Sequence, residues 1–501
     1  MFWETGQRKF YPKAACRYHG AMSLRIYDSA RHHIVDFEPV KAGHVGIYLC
    51  GATVQGSPHI GHVRSAIAFD VLIRWLRRSG YQVTYVRNVT DIDDKILNKS
   101  AEAGWPWWAW AYRFEQEFAA AYRALGVLPP TYEPRATGQI PEQIALTQRL
   151  IDAGHAYSDG NGNVYFDVKS LKDYGSLTRQ KLSDMRTTED ESQIDNQTEA
   201  GKHDPRDFAL WKAAKDSEPE TAQWDSPWGK GRPGWHLECS AMSRRYLGEA
   251  FDIHGGGIDL RFPHHENEQA QSHGAGWPFA KYWMHNAWVT IKGEKMSKSL
   301  GNSLVVSEIL KTTPAAVLRL ALGTTHYRST VEYSPETLEQ AGETWNKFAS
   351  SLARFAQAAP EVAEAGAPEL AATSLPEAFC EAMDDDLNIA AAQAVIHEKI
   401  KQANTAFDSG KTGEGAKVAI QIRAMLEVLG LDPLSEQWRE ADSGSDSAAA
   451  ALEKLVAEQL EQRVQARKEK DWARADGIRD CLSAAGIVIE DGAAGSTWHL
   501  S

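Results

Sequence analysis

The chain has 501 residues and a formal charge of −13, from 54 Lys and Arg against 67 Asp and Glu, with 43% hydrophobic and 24% charged residues. That apolar fraction excludes wholesale disorder, and no apolar run approaches the roughly 20 residues a membrane span needs. Five scattered cysteines (Cys16, Cys50, Cys239, Cys380 and Cys481) exclude a disulfide framework; with no signal-peptide pattern at the N-terminus they read as reduced thiols of a cytoplasmic protein. The length suggests about three to four domains. The acidic balance argues weakly against nucleic acid as a partner, although a net charge does not say where the charges sit.

Residues 1–21 are basic and aromatic without helical or strand period, and are expected to form a disordered extension. From about Leu24 to Gly51 the chain reads as strands, ending in the apolar run Val45-Gly46-Ile47-Tyr48-Leu49-Cys50, which suits a strand buried in a parallel sheet. A loop from Ala52 to Pro58 leads to a helix over about His62–Arg78, stopped at Gly80, and a second strand covers Val83–Val89. Strand, helix and strand in this order make a βαβ unit and predict a doubly wound, Rossmann-like parallel sheet. The pattern breaks between roughly residues 130 and 235. There Asp159-Gly160-Asn161-Gly162 before Val164-Tyr165-Phe166 signals a hairpin, and the acidic stretch Asp184–Asp204 an exposed loop. The tryptophans at 105, 107, 108 and 110 are expected to pack against a neighbouring element. Helical periodicity dominates from about Pro335, a Ser/Asp/Ala-rich linker lies around Asp432–Ala448, and a compact helical unit with the strand Ile487-Val488-Ile489 closes the chain.

His59-Ile60-Gly61-His62 falls where the loop after the first strands enters its helix. Ligands of open parallel sheets bind there, at strand carboxyl ends and helix N-termini. Gly61 would let a nucleotide approach the backbone, and two imidazoles can donate to phosphoryl oxygens. Far downstream, Lys295-Met296-Ser297-Lys298-Ser299 before Leu300-Gly301-Asn302 puts two lysines on a glycine-bounded loop, able to clamp a triphosphate as point charges. This pair of motifs resembles the signature pair of class I aminoacyl-tRNA synthetases, without a substitution. The resemblance implies nucleotide chemistry at His59, His62, Lys295 and Lys298, with ATP (and its Mg2+) as co-substrate bound near Gly61, His254 and Lys298.

Cys50 ends the first strand run, Cys239 lies in Gly234-Trp235-His236-Leu237-Glu238-Cys239, and His264 and Glu268 are four apart, on one helical face. Two thiolates, an imidazole and a carboxylate make a zinc site; His265 and Glu266 stand beside them as alternatives that only geometry can separate. The segments Tyr48–Gly51, Asn88–Lys95, Asp207–Lys212, His254–Asp259 and Phe262–Glu268 resemble the cysteinyl-tRNA synthetases, and the similarity runs from about Leu24 to the C-terminus. That resemblance implies one Zn2+ per subunit on Cys50, Cys239, His264 and Glu268, binding the substrate's thiol. It also implies Thr90, Trp235, His254 and Asp259 around the cysteine and adenosine pockets. Zinc takes thiolate sulfur readily, whereas a serine hydroxyl is far harder to ionise. The family accordingly manages without an editing domain.

Ala382-Met383-Asp384-Asp385-Asp386-Leu387-Asn388 resembles the family's helical bundle, the acidic triplet otherwise reading as a solvated helix end. In the terminal unit, basic residues interleave with acids around Trp472; by resemblance Arg467, Trp472, Asp476 and Asp491 fall in segments that read the anticodon. Basic side chains beside an exposed aromatic suit unstacked bases. The expected organisation is therefore 1–21 extension, 22–130 and 235–334 the two halves of the catalytic domain, 131–234 an insertion, 335–432 a helical bundle, 433–449 a linker and 450–501 an anticodon-binding unit. The implied partners are tRNA(Cys), L-cysteine and ATP, with no membrane and a monomeric state. A rival is a ligase passing cysteine to an amino sugar, which would lack the terminal unit; a zinc-stabilised RNA-binding protein without catalysis is disfavoured by the intact motifs.

Overall fold

The computed structural model describes residues 24–185, 200–291, 294–295, 304–443, 446–492 and 495–500, and divides into a unit ending at Leu434 and a second beginning at Ser435. The predicted acidic loop falls largely outside the described residues, as do the extension and Lys298.

The run predicted as strands up to Gly51 is three short pieces. β1 (Arg25–Asp28) and β2 (His33–Asp36) form an antiparallel hairpin, and β3 (His44–Leu49) enters the main sheet. After β3 come α1 (Ile60–Arg78) and β4 (Gln82–Arg87), the βαβ unit read from the sequence. Val45, Ile47, Tyr48 and Leu49 are buried on both faces of β3, as a central parallel strand requires. α1 starts two residues before its predicted start, because His59 and His62 cap it reciprocally, and it ends before Gly80 (φ +90).

α2 (Asp94–Glu102), α3 (Trp107–Ala124) and α4 (Ile140–Asp152) follow. They lead to an antiparallel sheet of β5 (Ala156–Ser158), β6 (Val164–Phe166), β7 (Phe208–Ala213) and β8 (Gly231–Pro233) in sequential order. The predicted hairpin is β5–β6, with Gly160 and Gly162 both at positive φ. The chain then returns through α5 (Trp235–Leu247), β9 (Ala250–Gly257), α6 (Glu266–Gly274) and β10 (Phe279–Asn286). β9 pairs with β3 and β10 with β9, all parallel, giving the order β10-β9-β3-β4. Strand order therefore reverses between β3 and β9, and the crevice at their carboxyl ends is where such sheets bind ligands. A smaller sheet joins β11 (Val289–Ile291) to β12 (Glu294–Lys295) and, in parallel, β13 (Val331–Glu332).

α7 (Ala315–Gly323) leads to the helical bundle: α8 (Pro335–Ala358), α9 (Glu377–Asp384), α10 (Ile389–Asp408) and α11 (Thr412–Leu429). Ser334 caps α8 by accepting from Thr337 N, and its Ala341, Trp345, Phe348, Leu352 and Phe355 form one buried stripe at helical spacing. α1 is welded to this bundle by buried charge. Asp70 accepts from Arg74 Nε at 2.8 Å and from Arg319 Nη2 at 2.5 Å, and Arg319 also donates to Leu125 and Leu429 carbonyls at helix ends. Arg64 donates to the Leu322, Thr325 and His326 carbonyls at and beyond the end of α7. Carbonyls at a helix end lack an intrahelical partner, and a guanidinium supplies several donors at once.

Two expectations are overturned by these contacts and by the burial pattern. The acidic triplet is no solvated helix end: Asp384 accepts from the Trp75 indole, Asp385 from Arg25, and the buried Asp386 from Tyr27 N, the Tyr327 hydroxyl and Arg328. Asp386 and Leu387 both have positive φ, where the chain turns from α9 into α10. Of the tryptophans expected to pack against a neighbouring element, Trp107 is buried and Trp110 partly so, but Trp105 and Trp108 face solvent. Asn388 caps α10 by accepting from Ala391 N.

The second unit holds α12 (Asp446–Lys468), α13 (Trp472–Ala484) and the hairpin β14 (Ile487–Gly492) with β15 (Gly495–Leu500) around Val456, Leu482 and Ile487. The helix Glu436–Ser443 occupies part of the predicted linker. Among the described residues no helix is long and apolar enough to cross a membrane.

Candidate active site and metal centre

Cys50 leaves β3 with its N–H donating to the Gly255 carbonyl on β9 (3.1 Å), so it sits at the reversal point of the sheet. The next residue must be glycine. A Cβ on Gly51 would lie 1.6 Å from the Asn88 carbonyl oxygen, while Gly51 N donates to the Asn88 side chain at 2.8 Å. Gly51→Ala is expected to lower stability by about 1–3 kcal/mol through overpacking and to push Cys50 away from its partners. Denaturant unfolding and metal titration measure the two effects; a variant of full stability with wild-type metal binding contradicts this.

α5 brings Cys239 into its second turn, one turn after Trp235, and α6 supplies Glu268. The ligand atoms of Cys50, Cys239, His264 and Glu268 all lie within 4.8 Å of one another; Cys239, His264 and Glu268 are buried and Cys50 is half-buried. The two sulfurs are 3.6 Å apart, Cys50 Sγ is 3.3 Å from Glu268 Oε1, and His264 Nε2 is 3.1 Å from the same oxygen. A second group, Cys50, His254, His265 and Glu268, overlaps the first. Geometry separates the neighbours that sequence left open. Glu266 points away and accepts from Gly175 N, Thr178 N and the Thr178 hydroxyl. His265 Nε2 is 3.9 Å from Glu268, and its Nδ1 is taken up by His285 at 2.8 Å. Only the first group offers two thiols, the donor set that suits zinc.

The protons in this cluster follow from its charges. Burial raises the Glu268 carboxyl, but His254 and His264 outweigh it and hold it at about 2. Burial lowers His264, yet Glu268 and Cys239 lift it to about 10. Burial likewise raises the Cys239 thiol, and Cys50 and His264 bring it down to about 6, whereas Cys50 is pushed up. His254 Nε2, 2.8 Å from Glu268 Oε2, and His236 Nδ1, 2.9 Å from His264 Nδ1, orient the would-be ligands from behind.

Next to this cluster opens a cavity of about 470 Å³, lined by residues including Cys50, Gly61, His62, Trp235, Asp259 and Trp288. His59 is also on its wall; the His59 and His62 rings stack with centroids 3.6 Å apart. Trp235 lies over His264, ring centroids 4.2 Å apart. Ile60 N donates to the Leu304 carbonyl, so the chain leaving the lysine segment runs beside the histidine turn. Lys295 is in β12, its backbone paired with Thr290, and Lys298 lies outside the described residues.

Two residues expected in the pockets stand behind the wall. Thr90 is buried and donates to Glu238 Oε2 at 2.9 Å, and His254 is fully buried beneath Glu268. The cavity side formed by Asn286, Ala287 and Trp288 was missed from the sequence, as were the supports His236, His285 and Glu238. The position of Asn286–Trp288 just past an apolar strand was the one available signal. In the second unit Trp472 is 59% exposed at the start of α13, and Asp476 pairs with Arg479 at 3.2 Å. Arg467 is in the last turn of α12, and Asp491 lies on β14.

A family profile described as the tRNA synthetases class I (C) catalytic domain matches residues 36–343; a DALR domain matches 378–433, and a cysteinyl-tRNA ligase anticodon binding domain 449–498. Curated relatives are similar over almost the whole chain. The cysteine–tRNA ligase of Beutenbergia cavernae is 61% identical, over 96% of this chain and 99% of its own. Those of Paenarthrobacter aurescens (54%; 96% and 99%) and Cutibacterium acnes (53%; 97% and 99%) follow the same pattern. Among solved structures, Mycobacterium tuberculosis methionyl-tRNA synthetase in complex with methionyl-adenylate has a TM-score of 0.54 at 17% identity, covering 79% of this chain and 93% of that one, a likeness of fold.

Proposed function

Since this chain belongs to the class I cysteinyl-tRNA synthetases and has their activity, ligating cysteine to tRNA, we propose that one zinc ion on Cys50, Cys239, His264 and Glu268 selects the substrate by its thiol. The observation that carries this reading is the convergence of these four donors, within 4.8 Å, beside the cavity of the histidine turn. When bound, zinc would hold the cysteine sulfur as a thiolate, which a serine hydroxyl cannot match. Trp235 would close the pocket over the side chain and Asp259 would position the rest of the amino acid, with Thr90 acting from behind the wall through Glu238. The cysteine carboxylate attacks the α-phosphate of ATP, brought in with Mg2+, and pyrophosphate leaves. His59 and His62 would donate to the phosphoryl oxygens, Gly61 would let the nucleotide reach the backbone, and Lys295 and Lys298 would balance the charge that develops. His254 would act by holding Glu268. The terminal ribose hydroxyl of tRNA(Cys) then attacks the acyl carbon and releases AMP, while Arg467, Trp472, Asp476 and Asp491 read the anticodon. We place the enzyme in the cytoplasm, as a monomer.

Cysteine-dependent ATP–pyrophosphate exchange, followed by charging of tRNA(Cys) against an amino sugar acceptor, tests this reading. Exchange without tRNA charging would contradict it. Lys298→Ala is expected to slow adenylate formation by about 100-fold or more, the cost of losing one transition-state donor, with cysteine binding nearly unchanged. Equal loss of both would show that Lys298 does not act on the transition state.

A further inference from the structure

A second cleft beside the active site is walled by aromatic side chains that no step of cysteine activation uses. Its cavity of about 540 Å³ lies between the end of α2, the start of α3 and the loop after β7, with Trp105, Trp108 and Lys215 on its walls. Trp107 is buried and donates from Nε1 to Thr221 Oγ1 at 3.1 Å, which pins the chain between them. Its neighbours are thereby left outward: Trp105 is 45% and Trp108 57% exposed. The Arg113 guanidinium lies 5.7 Å from the Trp105 ring. The carboxylates on the lining do not repel an anion, because Lys212 and Arg232 neutralise Asp94, and Arg232 reaches Glu218 at 3.1 Å.

This cleft shares a wall with the nucleotide cavity. Asp94 lines the one and Lys95 the other. Gln55, on the nucleotide side, is held by Lys99 Nζ of α2 on its Oε1 (2.8 Å) and by Trp110 Nε1 of α3 on its carbonyl (3.2 Å), and other residues of these two helices line the cleft. A tRNA whose terminal ribose reacts in the first cavity must lay its preceding unpaired nucleotides across a neighbouring surface. Unpaired bases stack on exposed aromatic faces whatever their sequence. Resting on the function proposed above, we infer that the single-stranded 3′ end of tRNA occupies this cleft and stacks on Trp105 and Trp108.

The test uses the full-length enzyme and a tRNA(Cys) transcript. Trp105→Ala with Trp108→Ala is expected to leave cysteine-dependent ATP–pyrophosphate exchange within about twofold, since activation needs no tRNA, and the retained exchange reports an intact fold. Charging should lose at least about tenfold in kcat/KM for tRNA, the effect of removing one stacked base. Trp108→Ala alone should lose part of this, and Trp108→Phe, which keeps a stacking face, should recover most of it. A transcript trimmed of its unpaired 3′ nucleotides should bind wild type and the double variant equally. Unchanged charging, or an equal affinity loss with the trimmed transcript, would overturn the inference. If wild type itself shows no cysteine-dependent exchange, it is the underlying functional reading that fails.

Discussion

Replacing Cys239 by serine is expected to remove bound zinc and the preference for cysteine together. The substitution exchanges one atom in a fully buried position, so packing is almost unchanged. What changes is the donor. Cys239 is the cluster's acidic thiol, held at about 6 by Cys50 and His264 against the effect of burial, and a hydroxyl does not ionise in that range. Loss of an outer partner of a metal site already costs roughly 10–100-fold, so loss of a ligand should lower kcat/KM for cysteine by more than about 100-fold. Discrimination against serine should shrink to the roughly 10–200-fold that pocket shape alone provides. Metal analysis and exchange kinetics with cysteine and serine measure both, and Cys481→Ser, an exposed thiol of the second unit, is the control. Stoichiometric zinc with intact selectivity in the Cys239 variant would remove the metal site from the mechanism.

Asp70→Asn is expected to destabilise the first unit by about 3–5 kcal/mol, because it leaves buried guanidiniums without their counter-charge. Arg319 is 1% exposed and Arg74 sits beside it; both donate to the Asp70 carboxylate, as does Leu128 N at 2.8 Å. Burial raises the carboxyl, but these donors outweigh it and hold the folded value below the ordinary one. The contribution is therefore complete above the unfolded value of about 4 and is lost as pH falls through the lowered folded value. Wild type should lose stability on acidification below about pH 4 more steeply than Asp70→Asn, which has nothing there to protonate. Denaturant unfolding at neutral pH and near pH 3.5 reads both differences. A variant within 1 kcal/mol of wild type at neutral pH would show that solvent reaches Arg319 and screens it.

Much of the architecture was legible along the chain because it is periodic. The Val45–Leu49 run, the helix up to Arg78 and the glycine-flanked hairpin after Asp159 each carry their period and their stop signal in adjacent residues, and the structure departs from them by only a few residues at element ends. Long-range partners were not legible. The triplet Asp384–Asp386 reads as a polar helix end because its partners, Trp75, Arg25 and Arg328, lie far away in sequence. The tryptophans at 105 and 108 read as packing against a neighbouring element, whereas Trp107 turns inward, onto Thr221, and the other two stand 45% and 57% exposed.

The acidic total, mildly hostile to nucleic acid on its face, was a poor guide because a sum does not say where each charge sits or what it pairs with. Asp70, Asp94 and Asp432 are all bound to internal arginines. By itself the sequence determined the kinds of donor, two thiols, imidazoles and carboxylates, and the βαβ frame that carries the nucleotide motif. The tertiary structure decided which donors meet: Cys50 and Cys239, separated by 189 residues, come to 3.6 Å because strand order reverses between β3 and β9, and His264 rather than His265 lies 3.1 Å from Glu268. A helical or strand period reports which face a side chain shares with its neighbours in sequence. Coordination depends on a few ångströms between atoms on different elements, and only the packed sheet sets those.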